Sequence, residues 1–119
     1  MIRTKRIYEA PDGEDGFRIL VERLWPRGVR KERAAVDLWM RDAGASPALR
    51  KWFGHDPAKW EEFEDKYFHE LSEKPEVIDQ LAMLAREHPL ITFLFAAKDK
   101  EHNNAVALKK YLDMRGELG

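Results

Sequence analysis

Apolar positions along this 119-residue chain follow two patterns, short unbroken runs near the ends and helical spacing between them. Ile2 to Tyr8 reads as a strand, and Pro11-Asp12-Gly13-Glu14-Asp15-Gly16 after it is a loop by its turn residues. Phe17 to Leu24 places apolar side chains on both faces, the pattern of a central strand covered on two sides. Val36 to Met40 fits a third strand, with a short helix as the equal alternative for Trp39 and Met40. From residue 46 the spacing turns helical. Ser46-Pro47 supplies an N-cap and a first-position proline, and Gly54 stands where that helix ends. Asp56-Pro57 opens a second helix with Trp60, Phe63, Tyr67 and Leu71 on one face. Pro75 opens a third, with Val77, Ile78, Leu81 and Leu84 facing inward. Leu90 to Ala97 is apolar for the length of a buried strand. A last helix from about residue 100 to Met114 carries Ala105, Leu108, Tyr111 and Leu112 as its inner stripe, with Gly116 as its stop.

This order predicts an α/β fold: one small three-layer domain over residues 1–119, with a short, mostly parallel sheet flanked by helices. Two charged segments then acquire a common location. Arg23-Leu24-Trp25-Pro26-Arg27-Gly28 follows Ile19-Leu20-Val21, and Lys98-Asp99-Lys100-Glu101-His102-Asn103-Asn104 follows the run from Leu90. If both runs are parallel strands of one sheet, the segments meet at its carboxyl edge, where open α/β folds bind ligands.

Composition narrows the chemistry. The chain contains no cysteine, so it has no disulfide, no thiolate nucleophile and no thiolate metal site. No two histidines have metal-site spacing, and no metal or cofactor is assigned. No stretch approaches the ~18 apolar residues of a membrane span and the N-terminus lacks a signal-peptide core, which predicts a soluble cytoplasmic protein. Net charge is −1, unevenly spread: residues 1–33 carry nine Lys/Arg against six Asp/Glu, and residues 56–76 carry three against eight. The basic end adjoins the Arg-Trp-Pro-Arg-Gly segment and favours a small anionic ligand there. Helix, glycine turn, helix around Gly54 is also the outline of a DNA reader. The would-be recognition helix, however, carries Glu61, Glu62, Glu64, Asp65 and Glu70 against Lys59 and Lys66, which a phosphate backbone would repel. Oligomeric state is not legible.

Within the segments, Arg23 and Arg27 are two guanidinium forks beside the Trp25 face, suited to a carboxylate, a phosphate or a stacked base. Gly28 lets the chain turn closely around a ligand, and Trp25-Pro26 leaves both peptide isomers open. The bland alternative makes Trp25 a core residue and pairs Arg23 with Glu22, Asp37 or Asp42. Asp99 is expected as N-cap of the last helix, placing Glu101 and His102 in its first turn. A neutral His102 there could move a proton, with Asp99 as its partner, while Lys98 and Asn103 complete the ligand-binding set. The competing reading leaves Asp99 a cap and His102 a solvated residue. In the Lys51-to-Pro57 stretch only His55 lacks a structural reason, and an exposed loop histidine is expected.

The stretch Arg18 to Gly28, the Lys51-Trp52-Phe53-Gly54-His55-Asp56-Pro57 motif and Ala96 to Ala105 together resemble the YeaO-like family, small bacterial proteins within a larger family of unknown function. The resemblance covers essentially the whole chain. It implies a compact α/β fold and a bacterial or archaeal cytoplasmic origin, and brings no established activity. The larger family usually carries a cysteine, a histidine and an arginine at the start of the last helix. This chain has Glu101-His102-Asn103-Asn104 there, keeping only the histidine, which puts cysteine-dependent chemistry in doubt.

Overall fold

Four parallel strands, in the order β1-β4-β2-β3, form the sheet of the computed structural model, which describes residues 1–116. They are β1 (Ile2–Arg6), β2 (Phe17–Leu20), β3 (Leu38–Trp39) and β4 (Ile91–Phe95). The helices are α1 (Lys31–Ala34), α2 (Pro47–Phe53), α3 (Trp60–Ser72), α4 (Pro75–Glu87) and α5 (Asn104–Met114). The last strand in sequence is thus inserted between the first two. Every β4 side chain is buried, which explains why its residues run Ile-Thr-Phe-Leu-Phe without polar alternation.

The two sheet faces are covered unequally. Ile19, Val21, Phe93 and Phe95 pack with Leu49 and Phe53 of α2, Phe63 and Tyr67 of α3, Ile78 and Leu81 of α4, and Leu108 and Leu112 of α5. Leu20, Leu94 and Ile7 on the other face meet only Ala34 of α1 and the loop residues Trp25, Val29 and Val36, with Trp39. The α/β class and the parallel sheet match the sequence expectation, and the second layer of cover is mostly loop.

Element ends differ from expectation in several places, among them β4, which spans Ile91–Phe95 within the run Leu90 to Ala97, and the helix opened by Asp56-Pro57, whose regular part starts at Trp60. The first strand ends at Arg6 rather than Tyr8, and the second at Leu20 rather than Leu24, although Val21 still donates to Leu94 O at 3.3 Å. The third keeps only Leu38–Trp39 of the run from Val36, and a turn of helix, α1, appears where none was expected. The last helix starts at Asn104, not near residue 100, because Asn103 is its cap and accepts from Val106 N at 3.0 Å. Ser46 caps α2 as expected, accepting from Leu49 N at 3.2 Å.

Candidate functional site

The chain leaves β2 and β4 side by side, and the loops beyond them diverge toward β3 and α5. Between them opens a cavity of about 450 Å³ at the carboxyl edge of the sheet, lined by Glu22, Trp25, Arg27, Arg50, Phe53, His55, Ala96, His102, Asn103 and Asn104 among others. Such a crevice is the expected ligand position in an open parallel sheet, and its size suits one small molecule.

Its floor is built on the end of β2. Glu22 crosses to β4, its Oε1 accepting from Ala96 N at 3.0 Å. Its backbone is held from the other side, because Trp39 Nε1 donates to Glu22 O at 2.8 Å. Gly44 packs directly on this backbone: a Cβ there would stand 2.6 Å from Arg23 N. No larger residue fits without moving the floor. Asn104 ties the remaining parts, accepting from Ala45 N at 2.7 Å and donating to Val21 O at 2.8 Å and to the Tyr67 hydroxyl at 3.3 Å. Burial pushes the Glu22 carboxyl above the usual glutamate range, against the downward pull of the Ala96 amide and the charges of Arg50 and His55.

Positive groups ring this floor. Arg27 follows Pro26 in the first segment, and Arg50 comes from α2; both are exposed at the rim, and neither guanidinium makes a hydrogen bond among the described residues. His55 follows Gly54 in a left-handed conformation, φ 58°, which is uncommon for a residue with a side chain. It is an exposed loop histidine, as expected, and also part of the cavity wall.

His102 enters from the second segment. Its Nδ1 lies 2.8 Å from Asp99 Oδ2, while Asp99 Oδ1 accepts from Glu101 N at 2.9 Å and His102 N at 3.1 Å. The Glu101 amide, then the His102 ring, hold the Asp99 carboxyl below its ordinary range. A carboxylate partner places the neutral ring's proton on Nδ1 and leaves Nε2 free. Trp60 fixes the ring edge-on, with centroids 5.2 Å apart. Asp99 therefore caps a turn before the helix and orients His102, which corrects its expected place as N-cap of α5.

The sequence-derived set is brought together only in part. Trp25, Arg27, His102 and Asn103 line the cavity. Lys98 and Asp99 line an adjoining groove that shares Tyr8, His55, Ala96 and Ala97 with it. Arg23 lies outside both, its Nη2 donating to Gly44 O at 3.1 Å, so the carboxylate partners weighed for it are replaced by a backbone carbonyl. Trp25 turns its Nε1 to Val29 O at 2.8 Å and packs edge-on to Trp39, 5.4 Å between centroids. It is chiefly a core residue with one edge on the cavity. Asn103 spends its oxygen on Val106 N and its amide on Asp99 O, leaving it a cap. The Trp25-Pro26 bond is trans. Gly28 has φ 77° with no atom near its missing Cβ, so it serves the turn and not a close approach. Glu22, Arg50 and Asn104 are the residues sequence reasoning missed. Glu22 alone left a signal, as a carboxylate inside a run read as covered on both faces.

A model of the inactive DUF488-N3 subclade matches residues 1–117. The chain belongs to this family. It is 38% identical over 111 residues to the uncharacterized protein YeaO of Escherichia coli, covering 93% of this chain and 96% of that one. It is 32% identical over 114 residues to the uncharacterized protein Rv3073c of Mycobacterium tuberculosis, covering 96% and 95%. No solved structure matches the chain. The YeaO-like resemblance seen in the three motifs is thus a family relationship. Among the described residues of this DUF488 member, no helix is long and apolar enough to cross a membrane.

Proposed function

We propose that this protein binds a small anionic molecule in the cavity at the carboxyl edge of its sheet and does so without turning it over. The observation that carries the reading is the pair of rim arginines, Arg27 and Arg50, whose guanidinium groups make no hydrogen bond among the described residues. Most cations placed for structure spend their donors on carbonyls or carboxylates, as Arg18 and Arg6 do here. Two left free beside His55 and His102 suit a carboxylate or phosphate. The non-catalytic half of the reading is supported by the family description as inactive and by the absence of cysteine from the chain.

The test is a titration with inorganic phosphate followed by amide NMR. Expected are shifts at Arg27, Arg50, His102 and Asn104 that saturate in the wild type and weaken at least about tenfold in Arg27→Ala and Arg50→Ala, the scale of one charge-assisted hydrogen bond. Shifts elsewhere, or none, overturn the reading.

The Asp99–His102 pair favours a second reading, an enzyme on an anionic substrate in which His102 Nε2 accepts a proton. Turnover of a phosphate ester that disappears in His102→Gln, while phosphate binding persists, would decide for it.

A further inference from the structure

The Glu22 carboxyl is out of place in a site read as binding an anion, and its surroundings give it a use. Oε1 is engaged with Ala96 N at 3.0 Å. The other oxygen, Oε2, has no hydrogen-bond partner among the described residues, yet it is not one of their fully enclosed atoms that lack one, which are Arg23 Nε and Glu64 Oε2. It is therefore not sealed from outside, and the residue that carries it lines the cavity. The position is rigid, since Trp39 holds the Glu22 carbonyl, Asn104 holds Val21 O and Gly44 lies against the backbone. A mobile exposed carboxylate would simply be hydrated. A held, half-satisfied one at the floor of a cavity awaits a donor.

Much of the remaining lining is apolar: Ala45, Phe53, Phe63, Ala96 and Ala97, with Leu24 exposed. The cavity thus combines a half-satisfied acceptor, apolar wall and two exposed arginines in one lining. We infer that Glu22 selects the ligand, and that the ligand is a bipolar small molecule whose anionic group meets Arg27 and Arg50 while an amino group donates to Glu22 Oε2. This rests on the anion-binding reading above and adds what the other end of the ligand must be. A plain dicarboxylate or an alkyl phosphate would leave the carboxyl oxygen unpaired or meet it with like charge, a loss that discriminates strongly between otherwise similar molecules. Burial, which raises the Glu22 carboxyl, makes the missing donor costlier still for the charged form.

Amino acids and nucleotides with an amino-bearing base share this chemistry, and matched pairs separate the two sources. Guanosine monophosphate is compared with inosine monophosphate, and aspartate with succinate; each pair differs by one amino group. Binding is read by calorimetry and by amide NMR on the full chain, with inorganic phosphate as the anion-only probe. The expected result is a preference of about tenfold or more for the amino-bearing member of one pair, the scale of a hydrogen bond to a charged group. In Glu22→Gln, which keeps an oxygen for Ala96 N, that preference should collapse while phosphate affinity is retained. Equal affinity within both pairs in the wild type overturns the inference even if the variant does not fold. If phosphate shifts the cavity residues at the same time, the anion reading survives that failure. If neither phosphate nor any member of the pairs shifts them, both fail.

Discussion

A buried carboxyl group and a half-buried one stand at opposite ends of β2, Asp15 before its first residue and Glu22 beyond its last, and the difference between them separates scaffold from site. At the amino end Asp15 and Arg18 are both almost fully buried. Arg18 donates to Asp15, to Ala35 O at 3.0 Å and to Ala34 O at 2.8 Å, while Asp15 also accepts from Lys5 at 3.1 Å and Asp12 N at 3.0 Å. Thr92 closes the group by donating to Asp15 O at 2.6 Å. Every charge is answered. At the carboxyl end Glu22 has one oxygen engaged, and the guanidinium groups of Arg27 and Arg50 have no hydrogen-bond acceptor among the described residues. A fully satisfied buried network fastens elements together, whereas donors and acceptors left open around a cavity are an unfinished set that a ligand can complete.

Removing one partner from the closed end should have the largest effect. Arg18→Met leaves Asp15 buried with one of its two cations gone and frees two carbonyls, so stability should fall by about 3 kcal/mol or more in urea denaturation. Phosphate affinity should not change. A loss under about 1 kcal/mol would mean that the amino-end network fastens nothing, and the comparison would collapse. Asn104→Ala is next. It belongs to the open end by position but to the closed kind by bonding, and stripping Ala45 N and Val21 O of their partners should cost about 2 kcal/mol. Because Asn104 also holds the floor, this variant should lose ligand affinity together with stability.

The two carboxyls should also oppose each other in the pH dependence of stability. Burial pushes Asp15 upward, but the Asp12 amide and the Lys5 and Arg18 side chains outweigh it and hold the carboxyl below its ordinary value. Its folded value lies under its unfolded one, so it contributes stability above the unfolded value that is lost as pH falls through the folded value. Glu22 is raised, so the folded state keeps its proton longer than the unfolded chain. Its contribution therefore declines as pH rises from the unfolded value through the folded one. Urea midpoints measured from about pH 3 to pH 7 should show the acid limb flattened in Asp15→Asn and the decline removed in Glu22→Gln. Glu22→Gln should equal or exceed the wild type in stability at neutral pH, as replacing a strained site residue often does. A destabilised Glu22→Gln would assign that carboxyl to the scaffold.

Much of this contrast lay within reach of the sequence, and the rest was withheld for physical reasons. The apolar runs located the sheet, and their charged successors located its carboxyl edge, because a parallel strand buried on both faces leaves a continuous apolar signature. Trp25, Arg27 and His102 could be placed at the edge for that reason. Arg50 could not, since it comes from a helix whose approach depends on tertiary packing that no local spacing records. Asp99 was misassigned because Asp and Asn are equally good caps, and four residues separate two candidates whose choice depends on where the chain leaves β4. Arg23 was overvalued because its partner is the backbone of Gly44, and a carbonyl acceptor is invisible in a sequence read for opposite charges.

The smallest effect on stability should come from Arg27→Ala, and it is the sharpest test of what the open end is for. Arg27 is exposed and its side chain has no hydrogen bond among the described residues; its carbonyl accepts from the Tyr8 hydroxyl at 2.8 Å. Truncation keeps that carbonyl, so unfolding free energy should change by no more than about 0.5 kcal/mol. Phosphate affinity should nevertheless fall at least about tenfold. A residue whose loss leaves the fold intact and empties the cavity is one held in place for a ligand. If both stability and affinity stay unchanged, Arg27 is ordinary solvated surface, and the open end of β2 is unfinished only in appearance.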